Sequence, residues 1–164
     1  MATTPQYQHP IFKYSELAAN RRGLIINQTI NLEKVIDWRI AQHFCKDDTK
    51  REELEALIIS GLPFSKKIDI LIYLLEKHDN DFFKAHKSAK RHLHKIRENR
   101  NNMAHSWLDV SVTFVGKKDR HTQTVSRLFT NNKLKKEQLS LYDEKRIAAL
   151  NNMIIKYTHV LMHW

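Results

Sequence analysis

The sequence has little of the residues that mark several other protein classes. It contains one cysteine, Cys45, and only three glycines and three prolines among 164 residues. A single thiol excludes an intramolecular disulfide framework and a cysteine-based zinc site. Glycine and proline interrupt helices, so their scarcity favours a helix-rich fold. The length is that of one ordinary domain with room for a hydrophobic core.

Long apolar runs are also missing. Runs such as residues 71–75 fall far short of the roughly 20 apolar residues that span a bilayer. Residues 1–13 do not show the basic and then apolar pattern of a signal peptide. We therefore expect a cytoplasmic protein that has no membrane partner.

Positive charge, by contrast, is abundant. Lysine and arginine number 28 against 18 acidic residues, which gives a formal net charge of +10. A cationic surface attracts polyanions and releases their counterions on binding, and nucleic acid is the commonest such partner. A basic surface that serves only solubility is the alternative.

The spacing of apolar residues predicts an all-α fold, an antiparallel helical bundle of four to five helices. Residues 1–13 contain two prolines and are predicted to form an irregular N-terminal arm, with the helical domain covering residues 14–164. Helices are predicted at about 14–45, 50–60, 66–77, 81–106 and 140–164. Alternating residues, among them Val110, Val112 and Phe114, predict a small inserted β-hairpin at about 109–130.

One position on the fourth predicted helix stands out. Residues 82, 89, 96 and 103 are apolar and step by seven, and position 100 falls on the same stripe but is Arg100. A guanidinium on a core-facing stripe is costly and cannot lose its charge, so it needs a carboxylate partner or a cleft that receives an anion. Glu33 and Asp37, one turn apart on the first helix, are candidate partners.

Asn101 and His105 stand four residues apart, on a face next to Arg100. A cation, an amide and an imidazole at one helix end suit phosphodiester chemistry on RNA, which carries its own 2′-hydroxyl nucleophile. Neutral histidine can take the hydroxyl proton and imidazolium can protonate the leaving oxygen, while arginine stabilises charge on the phosphate. Asn101 would position the other two. This chemistry needs no metal and no cofactor.

Further cations are candidate RNA-binding residues. They are Lys87, Lys90, Arg91 and Lys95 on the fourth helix, and Lys117 and Lys118 in the loop of the predicted hairpin. Cations along one helix can follow an RNA backbone. A solvated helix face and a soluble loop are the alternatives.

Residues 96–105, Ile-Arg-Glu-Asn-Arg-Asn-Asn-Met-Ala-His, resemble the signature of the HEPN superfamily. That signature is an arginine, a polar residue such as asparagine, three further residues and a histidine, at the end of a long helix in an all-α bundle. Arg100, Asn101 and His105 match it, and the resemblance is firm over residues 89–106.

The resemblance implies a metal-independent endoribonuclease that works as a homodimer. It also implies a toxin of a toxin–antitoxin pair, with an antitoxin protein as partner, or a role in defence against phage. Some HEPN proteins are inactive, so a non-catalytic RNA- or protein-binding module is the main alternative. A third hypothesis is a structural dimer in which Arg100 only pairs with an acid such as Glu33.

Overall fold

A computed structural model describes the backbone of residues 10–105, 107–115, 118–126, 140–141 and 144–164, and the side chains of residues 16–79, 81–104 and 144–164. Within these residues the chain forms six α-helices, one π-helix and three strands. They are α1 (Pro10–Phe44), α2 (Asp48–Leu54), the π-helix (Glu55–Ile59), α3 (Phe64–His78), α4 (Asn80–Ala85), α5 (Ala89–His105), β1 (Trp107–Val115), β2 (Lys118–Ser126), β3 (Ser140–Leu141) and α6 (Glu144–Met162). The predicted helix-rich fold is therefore confirmed.

Helix α1 is one continuous helix of 35 residues, about 50 Å long. It begins at Pro10, which suits a helix start because the missing N–H has no intrahelical partner there. Residues 10–13 are thus helical rather than part of an irregular arm, and residues 1–9 of the predicted arm lie outside the described residues. The buried line of α1 includes Ile25, Leu32, Ile36 and Ile40.

Local capping accounts for several helix boundaries. Asp47 caps α2, because its carboxylate accepts a hydrogen bond from the Lys50 amide at 2.9 Å. Helix α3 begins at Phe64, two residues before its predicted start. The predicted helix at 81–106 is in fact two helices, α4 and α5, and Asp79 caps the first of them.

The contacts at the two ends of the bundle give the directions of the long helices. Arg21 in the first half of α1 pairs with Glu144 at the start of α6, and Arg39 near the end of α1 donates to the Leu161 carbonyl near the end of α6. Helices α1 and α6 therefore run in the same direction, and the predicted antiparallel arrangement is wrong for this pair. Helix α5 is antiparallel to α6, since His92 near its start contacts Tyr157 near the end of α6.

The core forms where α1, α3, α5 and α6 meet. Its most buried large side chains, each exposed by less than 2%, include Leu32, Ile36, Leu71, Leu75, Leu93, Ile96, Ile154 and Tyr157. Complete burial of an aliphatic side chain stabilises a fold by about 1.5–3 kcal/mol. The core thus fixes α5 against three other helices. None of the described helices is both long and apolar enough to cross a membrane.

The segment between α5 and α6 contains the three strands. β1 and β2 pair antiparallel, from Trp107 opposite Ser126 to Val115 opposite Lys118, and the short β3 pairs with β2. β1 and β2 cover residues 107–115 and 118–126, against about 109–130 for the predicted hairpin. Residues 116–117 and 127–130 of that prediction lie outside the described residues. β1 lies against α1.

Candidate functional site

Arg100 lies in the last turns of α5. Ala89, Leu93, Ile96 and Met103 of this helix are all buried, as their spacing predicts. Arg100 shares their stripe but is only half-buried. The Arg100 side chain is therefore not fully enclosed in the core. A purely structural role for Arg100 would predict full enclosure.

Asn101 is in direct contact with Arg100. The Nη1 of Arg100 donates a hydrogen bond of 3.1 Å to the Asn101 Oδ1. An amide oxygen satisfies one of the five guanidinium donors without neutralising the charge. Among the described side chains, no carboxylate forms an ion pair with Arg100. The contact thus orients a cation that keeps its full charge, as a phosphate-binding arginine requires.

The acids proposed as partners of Arg100 pair with another residue. Glu33 and Asp37 of α1 lie 2.8 Å and 2.7 Å from Nζ of Lys67, which is 2% exposed at the start of α3. Burial raises the pKa of Asp37 even though Lys67 opposes the shift. The predicted pairing of Arg100 with Glu33 or Asp37 is wrong, because the packing of α3 on α1 brings Lys67 to these acids instead.

Arg22 is a neighbour of the site that the sequence did not single out. Its Nη2 donates a hydrogen bond of 3.0 Å to the carbonyl of Ala104, the residue before His105. The last carbonyls of a helix have no intrahelical partner, and a cation there is favoured by the helix dipole. Arg22 therefore connects the first half of α1 to the end of α5. The adjacent pair Arg21 and Arg22 was the only signal in the sequence.

Three of the predicted site residues cannot be placed in full. His105 is the last residue of α5, and its side chain lies outside the described residues. Lys117 lies outside them altogether, and Lys118 begins β2 with a side chain that is likewise not described. Of the predicted catalytic set, the structure therefore brings Arg100 and Asn101 together.

Four of the predicted RNA-binding residues lie on α5 or just before it, and all four have exposed side chains. They are Lys87, Lys90, Arg91 and Lys95. Lys90 lies 3.3 Å from a carboxylate oxygen of Glu76 on α3. Arg91 and Lys95 form no ion pair with the described side chains, and they follow the opposite flank of the helix, toward α6. The two flanks of α5 thus differ in how far their charge is neutralised.

A histidine and a tyrosine form the contact between α5 and α6 on that second flank. Nδ1 of His92 lies 3.0 Å from the hydroxyl of Tyr157, which is 1% exposed. Burial lowers the pKa of His92, and the charges of Arg91, Lys156 and Lys95 lower it further. Burial raises the pKa of Tyr157. Both side chains are therefore neutral at pH 7.

A large apolar groove lies well away from the motif. It has a volume of about 740 Å³ and is lined by residues from the end of α1, α2, the π-helix and α3, among them Ile40, Phe44, Ile58 and Tyr73. Its lining offers little polar surface for phosphodiester chemistry. The groove is therefore a separate feature from the Arg100 site.

The described residues hold no group of three or more His, Cys, Asp or Glu side chains suited to a metal ion. What the described part of the site offers chemically is a fixed, half-buried cation, an amide that orients it, and exposed cations along the same helix. Comparison of the chain with protein-family models, curated proteins and solved structures gave no match.

Proposed function

We propose that this protein is a metal-independent endoribonuclease of the HEPN type. The observation that carries the proposal is the contact between Arg100 and Asn101. The half-buried guanidinium is oriented by a neighbouring amide, has no carboxylate partner among the described side chains, and lies five residues before His105 at the end of α5. A charged donor that is oriented but not neutralised is suited to bind a phosphate oxygen.

In the proposed reaction the RNA supplies its own nucleophile. A neutral histidine removes the proton of a 2′-hydroxyl, and the 2′-oxygen attacks the adjacent phosphorus. The bond from phosphorus to the 5′-oxygen breaks, and an imidazolium gives its proton to that oxygen. The products are a 2′,3′-cyclic phosphate and a 5′-hydroxyl. Arg100 stabilises the negative charge that develops on the phosphate oxygens.

The proton balance supports a homodimer. One histidine must act as base and a second as acid, whereas the motif supplies only His105. Two motifs brought together in one cleft would provide both groups. We further propose that the enzyme is cytoplasmic and acts as a toxin or in defence against phage, with an antitoxin protein as partner. The resemblance of residues 96–105 supports this part of the proposal.

Incubation of the parent protein with mixed RNA, with and without a chelator, tests the reaction. We expect the same rate of cleavage in both reactions, and fragments that end in cyclic phosphates and 5′-hydroxyls, because no step uses a metal ion. Loss of cleavage on chelation, or fragments with 5′-phosphates, would contradict the mechanism.

A second candidate function is a non-catalytic module that binds RNA or a protein. The exposed cations of α5 favour it, because they need no catalytic centre to attract an anionic partner. If the protein binds RNA without cleaving it, and the binding weakens steeply as the salt concentration rises, the result would support this second function.

The dimer is tested separately by light scattering at the concentration of the cleavage assay. We expect a mass of twice the 19.5 kDa of one chain. The paired histidines would not be available in a monomer. A monomer that nevertheless cleaves RNA would require another acid or base from the same chain.

A further inference from the structure

Three cations from two helices surround the contact between His92 and Tyr157. Arg91 and Lys95 stand four residues apart on α5, and Lys156 of α6 has its Nζ 5.7 Å from the centre of the Tyr157 ring. All three lie close enough to His92 for their charges to lower its pKa. The cluster therefore contains cations from both α5 and α6, around the contact between these helices.

No carboxylate among the described side chains pairs with the cations of this cluster, in contrast to three lysines elsewhere in the described chain. Lys84, Lys90 and Lys67 each lie within 4 Å of a carboxylate, whereas no described carboxylate pairs with Arg91, Lys95 or Lys156. Like charges at i and i+4 on a helix destabilise it by about 0.2–0.5 kcal/mol. An anion bound among these cations would relieve that repulsion.

The histidine supplies a donor at the centre of the cluster. With both side chains neutral, the hydroxyl of Tyr157 can donate to Nδ1 of His92, which places the ring proton on Nε2. Nε2–H is then a hydrogen-bond donor between three positive charges. Tyr157 is buried and holds the ring in place. Three cations and a neutral donor form a set suited to the oxygens of a phosphate group.

We propose that Arg91, Lys95, Lys156 and His92 form a phosphate-binding site between α5 and α6, which holds backbone phosphates of an RNA strand outside the catalytic centre. Lys95 and Arg91 lie about 7 Å and 13 Å from Arg100 along the helix axis. The identification of RNA as the ligand rests on the proposed function. The binding of phosphate at this contact between α5 and α6 does not. The site would fix the strand while the motif cuts it.

The first test is binding of a 2′-O-methyl RNA oligonucleotide, which lacks the 2′-hydroxyl and is not cut. Fluorescence anisotropy compares the parent with Lys156→Gln and with the triple variant Arg91→Gln, Lys95→Gln, Lys156→Gln. We expect the single change to weaken binding several-fold. The triple change should lower the slope of log affinity against log salt by about 2, because each phosphate contact on a single strand contributes about 0.7.

Lys84→Gln is the matched control, since it removes the same charge from an exposed lysine of α4, where Asp81 already pairs with it. It should leave the affinity within about twofold. Equal weakening by Lys84→Gln and Lys156→Gln would show that only net charge matters and would overturn the site. These side chains are exposed, and circular dichroism checks that each variant stays folded.

A second readout follows the ring of His92 by NMR in the full chain, with its signal assigned from His92→Gln. Bound phosphate should raise the pKa of His92, because the anion offsets the neighbouring cations. An unchanged pKa with saturating oligonucleotide would overturn the site. An equal rise with inorganic phosphate alone, at similar affinity, would identify free phosphate as the ligand and overturn the assignment to RNA.

The two proposals fail in different ways. If the parent binds the oligonucleotide through the phosphate site but does not cut ordinary RNA, the proposed nuclease activity is wrong and the phosphate site stands. If the parent cuts RNA and the triple variant binds and cuts equally well, the nuclease stands and the phosphate site is wrong.

Discussion

Replacement of His105 with alanine should slow RNA cleavage by about 10²–10⁴-fold, the usual contribution of a general acid or base. Binding of the uncleavable oligonucleotide should change little, because the imidazole acts on protons rather than on the strand as a whole. His105 ends α5, so the change removes no side chain from the middle of the helix. The rate is measured on a labelled RNA under single-turnover conditions.

Arg100→Ala should lower the rate by about 10²–10³-fold, as expected when a donor to a developing negative charge is lost. Arg100→Lys keeps the charge but loses the planar fork, so it should recover only part of the rate. Asn101→Ala should cost about tenfold, because it removes the hydrogen bond that orients the guanidinium. The three variants thus separate charge from orientation.

The control for this series is Lys84→Gln, an exposed cation of α4 that pairs with Asp81 and should leave the rate within about twofold. Cleavage by His105→Ala at the parent's rate would contradict the assignment of the motif as the catalytic centre. Loss of cleavage in both His105→Ala and Lys84→Gln would point to charge or folding rather than to proton transfer.

The buried stripe of α5 could be predicted from the sequence because it depends on local geometry. Residues seven apart return to nearly the same face after two helical turns, so Ala89, Ile96 and Met103 identify the core side without any knowledge of the partner helices. All three are buried. The same count places Arg100 on this side, and the structure shows it half-buried there.

The pairing of charges could not be predicted in the same way. Glu33 and Asp37 contact Lys67 because the start of α3 packs against that part of α1, and no periodicity in the sequence encodes this register. The break between α4 and α5 was also missed, since the apolar spacing continues across residues 86–88. Arg22 reaches Ala104 through tertiary packing alone, over 82 residues of sequence.

Lys67→Ala should lower the free energy of unfolding by about 3–5 kcal/mol, the usual loss when one partner of a buried ion pair is removed. Lys67 is 2% exposed and its ammonium lies within 3 Å of Glu33 and Asp37. Without it, Asp37 remains buried beside the negative charges of Glu33 and Glu55. Urea unfolding at pH 7 measures the difference.

The pH dependence follows from the direction of each pKa shift. Burial alone would lower the pKa of Lys67, but the hydrogen bonds and charges of Asp37 and Glu33 raise it above the ordinary value of 10.5. Its contribution to stability is therefore complete below pH 10.5 and is lost as the pH rises through the folded pKa. The difference in the free energy of unfolding between Lys67→Ala and the parent should therefore become smaller at high pH.

The difference in the free energy of unfolding between Lys67→Ala and the parent should become smaller at acid pH as well. Burial and the neighbouring acids raise the pKa of Asp37 above 3.8, and loss of Lys67 removes the one charge that opposes this shift. Protonation then relieves the uncompensated buried charge, so the variant gains stability as the pH falls through that raised pKa. A deficit that stays constant from pH 4 to pH 7 would contradict the role of Asp37.

Lys66→Ala is the matched control, because it removes a neighbouring lysine whose side chain is exposed. Its effect should stay within about 0.5 kcal/mol, and an equal loss in the two variants would show that the ion pair is not what stabilises α3 on α1. The double variant Lys67→Met, Asp37→Leu should recover most of the loss, since apolar groups of similar size leave no unpaired charge in the core. Lys67→Met alone fills the same space but keeps the carboxylate, so a loss in Lys67→Met that the double variant recovers would assign the effect to a stranded carboxylate rather than to a cavity.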